Sequence, residues 1–176
     1  MLLVVGATER ELAFMDGADT LCCGVGPVEA AANTARALWE WKPERLLHIG
    51  IAGARGVQPP TLVLGKESVY EDARGPLIPS RVEADTTMLA IALEALPEAH
   101  LLAIGTSARV GGAAQCHVEA MEGFAVLRAA QLAGVPAIEL RAISNDVDEP
   151  DRNKWQFEEA FAALGEAVPK LVAALG

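Results

Sequence analysis

Carboxylate and amide side chains collect at the ends of short apolar runs in this chain, where an α/β fold keeps its chemistry. Residues 2–6 run into Gly6-Ala7-Thr8-Glu9-Arg10-Glu11, and residues 45–51 into Gly50-Ile51-Ala52-Gly53. Residues 135–143 run into Ser144-Asn145-Asp146, and Val118-Glu119-Ala120-Met121-Glu122-Gly123 stands at the expected start of a helix. A carboxylate can take a proton from a reacting group. An amide both donates and accepts hydrogen bonds. Open α/β sheets bind ligands beyond the carboxyl ends of their strands, so four such corners point to one site.

Singly, each corner has a plainer explanation. Glu9 and Glu11, like Glu119 and Glu122, suit the first turn of a helix, where the dipole favours negative charge. Gly24-Val25-Gly26 lacks the third glycine of a dinucleotide fingerprint, and Gly50-Ile51-Ala52-Gly53 lacks the Lys-Ser/Thr of a phosphate loop. His48 lies in an apolar run and reads as a hydrogen-bonded core residue. His48, His100 and His117 with Cys116 show no metal-ligand spacing, so no metal and no cofactor is expected.

The elements that must position these groups alternate in type. Strands are expected over residues 2–6, 20–25, 45–51, 101–108 and 135–143, with two short ones within 61–70. A helix is expected from Val28 to about Trp41, with Val28, Ala31, Ala35, Leu38 and Trp39 on one face. Asp85 caps another that stops at Pro97, and residues 121–133 form a third closed by Gly134. The last helix carries Phe157, Phe161, Leu164, Val168, Leu171 and Leu175 on one stripe, with Pro169 expected to kink or break it. Gly53 is expected to open a loop running through Pro59 and Pro60. The alternation predicts a three-layer α/β/α sandwich around a central mixed, largely parallel sheet, in one domain over residues 1–176.

Composition narrows the function classes. With 14 basic and 24 acidic residues the chain carries a formal charge of −10, which disfavours nucleic acid and anionic membrane surfaces. At 52% apolar and 22% charged it is not a disordered sequence. Its longest run free of Asp, Glu, Lys and Arg is ten residues, too short to span a bilayer. The start, MLLVVGATERE, has no basic segment before its apolar run and is not expected to be a secretion signal. Three cysteines, two of them adjacent, give no disulfide framework and fit a reducing cytoplasm.

Together the corners resemble the nucleoside phosphorylase and nucleosidase superfamily along nearly the whole chain. The likeness rests on GATERE, CGVGPVEAA, HIGIAGA, VEAMEGFA and LRAISNDV in that order, with Met121-Glu122-Gly123 and Arg141-Ala142-Ile143-Ser144-Asn145 its most specific marks. VEAMEGFA, then ISN, then Asp151-Arg152-x-x-Trp155, is most similar to the futalosine hydrolases, nucleosidases of an alternative menaquinone route. The hairpin usual between the first helix and the CGVG strand is trimmed.

That resemblance implies roles. Cleaving an N-ribosidic bond develops positive charge on the ribose and negative charge on the base, much as glycoside hydrolysis does. Glu11 matches the position that activates water, Glu122 the one that accepts from the ribose hydroxyls, and Met121 one that packs on the sugar. Arg141 resembles an arginine that orients the water. Ile51, Ser144 and Trp155 complete the substrate-binding set.

Asn145 stands where the methylthioadenosine/adenosylhomocysteine nucleosidases have an aspartate that protonates the base. An amide suits O6 and N7 of a 6-oxopurine better. Asp146 faces the other way if the segment is extended. His48 and Ile51 replace an arginine and a serine that contact phosphate in the phosphorylases, which favours water as nucleophile. A nucleoside substrate and a homo-oligomer are further implications, with Arg55, Arg109 and Arg152 open as partners of an aromatic carboxylate at the 5′ position. A methylthioadenosine/adenosylhomocysteine nucleosidase, a phosphate-dependent purine nucleoside phosphorylase and a non-catalytic nucleoside-binding protein are the alternatives.

Overall fold

A computed structural model describes residues 1–15 and 19–176 of the chain. Strand β1 (Leu2–Gly6) leads through α1 (Glu9–Leu12) to β2 (Asp19–Cys22), and α2 (Pro27–Trp41) leads to β3 (Arg45–Ala54). Next come β4 (Leu62–Tyr70), β5 (Arg81–Glu83), α3 (Thr86–Ala95), β6 (His100–Thr106) and β7 (Val118–Ala120). The chain ends in α4 (Gly123–Ala133), β8 (Ala137–Asp146), a 3-10 turn (Arg152–Lys154) and α5 (Phe157–Leu175).

Eight strands form one mixed sheet in which five neighbouring pairs are parallel and three antiparallel. Helices α2 and α4 cover one face, through Ala30, Ala37, Leu38, Val126 and Leu127. Helices α3 and α5 cover the other, through Met88, Ala92, Leu96, Leu164 and Leu171. The three layers follow because nearly continuous apolar strands must be covered on both faces. The sheet also curls on itself: β3 pairs with β8, β8 with β4, β4 with β6, β6 with β7, and β7 again with β3. Ala52, Ala54, Ile104, Val118 and Ile143 fill the inside of that closure.

The long β3 makes the closure possible. The loop expected from Gly53 begins later, because β3 continues to Ala54 and its last two residues pair with β7. A register shift between Ala52 and Gly53 turns the strand there. The two short strands expected within residues 61–70 are one, Leu62–Tyr70, with a register shift between Gly65 and Glu67. Val118 to Ala120 belong to β7, so the helix expected from residue 121 begins at Gly123. The strand expected over residues 20–25 ends at Cys22.

Two helices correct their sequence reading. In α2 the buried positions are Ala30, Thr34, Ala37 and Leu38, whereas Val28 and Trp39 are 78% and 80% exposed. The small residues face inward because they let α2 approach α4 and the sheet closely. In α5 the helix passes through Pro169 without a break. Pro169 lies on the exposed side, while Ala160, Leu164, Val168 and Leu171 are fully buried opposite it. One missing hydrogen bond on the wet face costs less than unpacking that stripe. The capping expectations match: Asp85 accepts from the Met88 N–H, and Gly134 closes α4 at φ 73°. The trimmed hairpin falls partly on residues 16–18, outside the described residues. No described helix is long and apolar enough to cross a membrane.

Candidate active site

The register of β3 on β8 sets Gly50 opposite Arg141 and His48 opposite Glu139. Alternation along each strand then sends His48, Glu139 and Arg141 to the same face of the sheet. Gly50 leaves the space they need. A Cβ there would come within 2.2 Å of Arg141 Nη1 and 2.6 Å of Glu11 Oε1. A cavity of about 400 Å3 opens above this floor.

Glu11 reaches the cavity wall from α1 and is buried. Its Oε2 accepts from the backbone N–H groups of Ala7 and Thr8 at 2.9 and 3.0 Å, and its Oε1 from Ile51 N–H at 3.1 Å. Thr8 and Glu11 also form a capping box. The plainer sequence reading and the chemical one therefore coincide in a single side chain: the cap fixes a carboxylate that still borders the cavity.

Glu122 behaves differently. It occupies the N-cap position of α4 but makes no capping hydrogen bond. Its Oε1 instead accepts from Gly26 N–H at 3.0 Å, and its Oε2 lies 3.7 Å from Arg141 Nη2. Burial pushes its carboxyl above the ordinary range, while Arg141 and the Gly26 N–H pull the other way. Both Glu122 and Met121 line the cavity.

Arg141 does not line it. Only 1% exposed, it lies behind the wall, with Nε 2.8 Å from Glu139 Oε1 and Nη1 3.3 Å from the Ile51 carbonyl. Burial opposes its charge, but Glu139, Glu122 and Glu11 outweigh burial and hold the guanidinium protonated. Its Nη2 also meets His48 Nε2 at 2.5 Å. His48 Nδ1 lies 2.9 Å from the Val5 carbonyl, which can only accept. The ring proton is therefore on Nδ1, and Nε2 accepts from Arg141. Burial and then Arg141 hold His48 well below the usual histidine range, so it is a neutral core residue.

Asn145 and Ser144 form the opposite wall with Gly53, where an added Cβ would come within 3.0 Å of Asn145 Nδ2. Asn145 Oδ1 lies 2.8 Å from Ser144 Oγ, and Nδ2 donates to the Asp146 carbonyl at 3.0 Å. One N–H and one lone pair remain, enough for a donor–acceptor pair on a ligand edge. Asp146 is exposed and outside the cavity, as the alternation expectation had it. Ile51 and Trp155 also border the cavity, and Trp155 Nε1 is held by the Glu149 carbonyl at 3.1 Å.

The mouth is built from loops and α5. Trp155, Phe157 and Phe161 make its aromatic side, and Arg109 and Arg10 supply its cations. Of the three arginines left open by sequence, only Arg109 borders the cavity. Arg55 is taken by the Ala113 carbonyl and Asp148, and Arg152 sits over the Trp155 ring. Arg10, which lies over Phe161 and pairs with Glu158, was missed because it stands between two glutamates that drew the chemical reading. Glu119 was read as a helix acid. It belongs to β7 and accepts from Gly111 and Ala113 N–H at 2.5 and 3.1 Å, closing the loop that carries Arg109. Among the described residues no group of three or more His, Cys, Asp or Glu could hold a metal ion.

Comparison with known proteins bears on this arrangement. Residues 20–112 match the family model of the phosphorylase superfamily. A futalosine hydrolase from Streptomyces coelicolor is 34% identical over 91% of this chain and 80% of its own length. Among solved structures, a futalosine hydrolase mutant of Helicobacter pylori superposes with a TM-score of 0.89 at 17% identity, covering 98% of both chains. The Streptococcus pneumoniae MTA/SAH nucleosidase in complex with 8-aminoadenine gives 0.87 at 20% identity, over 98% of this chain and 99% of its own.

Proposed function

The chain belongs to the phosphorylase superfamily, and we propose that it is a nucleosidase that hydrolyses the N-ribosidic bond of futalosine and releases hypoxanthine. The observation that carries this reading is that Glu11 and Glu122, two buried carboxylates, border one cavity together with an amide, Asn145. Likeness to the Streptomyces coelicolor futalosine hydrolase supports the substrate.

Each group has one task. Glu11, fixed by the Ala7, Thr8 and Ile51 N–H groups, takes a proton from the attacking water. Glu122 accepts from the ribose hydroxyls, fixing the sugar and favouring its cationic form. Met121 packs on the ribose. Asn145, oriented by Ser144, donates to and accepts from the edge of a 6-oxopurine. Trp155 and Ile51 border the ligand. Arg141, behind the wall, donates to the Ile51 carbonyl of β3 and does not touch the substrate.

Water rather than phosphate is the nucleophile in this reading. The cation nearest the two carboxylates, Arg141, is buried and already surrounded by Glu139, Glu122 and Glu11. His48 is neutral and sealed from the cavity, and Ile51 offers no hydroxyl. An anion placed beside Glu11 would meet like charge.

Val28, Trp39 and Leu132, all exposed on α2 and α4, support self-association. A place in menaquinone biosynthesis, in the cytoplasm, follows from the proposed substrate. The test is to identify the purine released from futalosine, inosine and methylthioadenosine. Hypoxanthine from futalosine as the fastest release is expected. Adenine from methylthioadenosine as the fastest would move the chain to the other nucleosidase branch.

A further inference from the structure

Glu139 is fully buried near the start of β8, and no catalytic step requires it. One of its carboxylate oxygens accepts from Arg141 Nε at 2.8 Å, and the other meets Ser68 Oγ from β4. The fold makes room for it at a specific place. A Cβ on Gly123 would lie within 2.3–2.6 Å of that carboxylate, and Gly123 directly follows Glu122 at the start of α4. A buried carboxylate that has neither solvent nor a place on the cavity wall must act through what it touches.

What it touches is Arg141, which has two buried carboxylates to choose between. It sits at hydrogen-bond distance from Glu139, at 2.8 Å, but 3.7 Å from Glu122, outside that range. His48 Nε2 and the Ile51 carbonyl hold the other edge of the guanidinium. A guanidinium freed from Glu139 would close on Glu122 as a direct, charge-assisted pair and occupy the lone pairs that a ribose needs.

We propose that Glu139 is a positioning residue: by anchoring Arg141 it keeps the guanidinium off Glu122 and leaves that carboxylate free to accept from the ribose 2′- and 3′-hydroxyls. The proposal rests on the role given above to Glu122. It also explains why Gly123 follows Glu122, since any side chain at Gly123 would strike the Glu139 carboxylate.

Glu139→Gln tests it. The amide oxygen can still accept from Arg141 Nε and the amide nitrogen can donate to Ser68 Oγ, but the charge that anchors the guanidinium is gone. The readout is equilibrium binding of 9-deazainosine, a C-nucleoside that cannot be cleaved, and of its 2′,3′-dideoxy analogue. Wild type should favour the dihydroxy ligand by about tenfold or more, and Glu139→Gln should lose most of that preference while binding the dideoxy ligand as wild type does. A purely structural role would weaken both ligands alike and leave their ratio unchanged. Glu139→Asp keeps the charge but withdraws it by one methylene, so an intermediate ratio is expected; this variant decides the matter if the glutamine protein does not fold. An unchanged ratio in the folded variant overturns the role of Glu139 alone. Absence of any preference in wild type overturns the role of Glu122 and this proposal with it.

Discussion

The floor and the mouth of the cavity are built on different principles. Glu11, Glu122, Arg141, Glu139 and His48 are all buried, and each is held by backbone or by another member of the set. Strand register and two glycines, Gly50 and Gly123, make that packing possible. The mouth draws on loops, α5 and exposed cations, with Arg10 and Arg109 beside Trp155, Phe157 and Phe161. A floor of this kind cannot adjust without breaking ion pairs in a low-dielectric interior, whereas a mouth of this kind can change residue by residue. In the proposed function, this contrast gives chemistry to the floor and choice of 5′ substituent to the mouth.

Four perturbations break or sharpen that contrast, from the largest expected effect down. Glu11→Gln keeps shape and polarity but removes the base, so kcat should fall roughly 10²–10⁴-fold with little change in KM in steady-state assays. Wild-type turnover would reduce Glu11 to a helix cap. Asn145→Asp, at the wall proposed to hold the base, should narrow or reverse the preference for 6-oxopurines over adenine nucleosides, a change of about 1–3 kcal/mol in relative kcat/KM.

The third perturbation is acid. His48 is held neutral in the fold, well below its usual range, so its contribution to stability is complete above about pH 6.5 and is lost as the unfolded chain takes up a proton below that. His48 should make the unfolding free energy fall with a slope of about 0.7 kcal/mol per pH unit near pH 6.5, approaching about 1.4 a unit or more lower, and His48→Gln should flatten that slope in denaturant titrations. Glu122, raised by burial, acts in the opposite sense nearer its own range: its contribution is present at low pH and is lost as pH rises through its folded value. The smallest effect belongs to the mouth. Arg109→Ala should raise KM about fivefold or less for a nucleoside with an anionic 5′ substituent, and leave inosine turnover unchanged. A large drop in kcat from that variant would erase the distinction between the two regions.

Much of the floor was legible because its residues stand at strand ends in compact motifs. Glu11, Glu122, Ser144 and Asn145 were visible as corners, and the structure brings all four to one cavity. Glu139 was hidden because an acid in VPAIELRAI looks like an ordinary polar position of a strand. The available signal was its spacing of two from Arg141, which puts acid and base on the same face of a stretch, residues 137–143, that is otherwise apolar. Arg141 was read as a partner of the water, but only the register of β3 on β8 shows that it lies behind the wall. Closure of the sheet was not legible, since it depends on two residues, Gly53 and Ala54, pairing with β7 on one side while still paired with β8 on the other. The exposed stripe of α2 misled because Trp39 and Val28 are more apolar than the alanines that pack, and a periodicity argument follows hydrophobicity rather than fit.

The phosphate dependence of futalosine cleavage tests the central claim most directly. The account predicts that hypoxanthine appears at the same rate with and without phosphate, and that no ribose-1-phosphate product forms when phosphate is added. A strict requirement for phosphate, with a phosphorylated sugar as product, would contradict it.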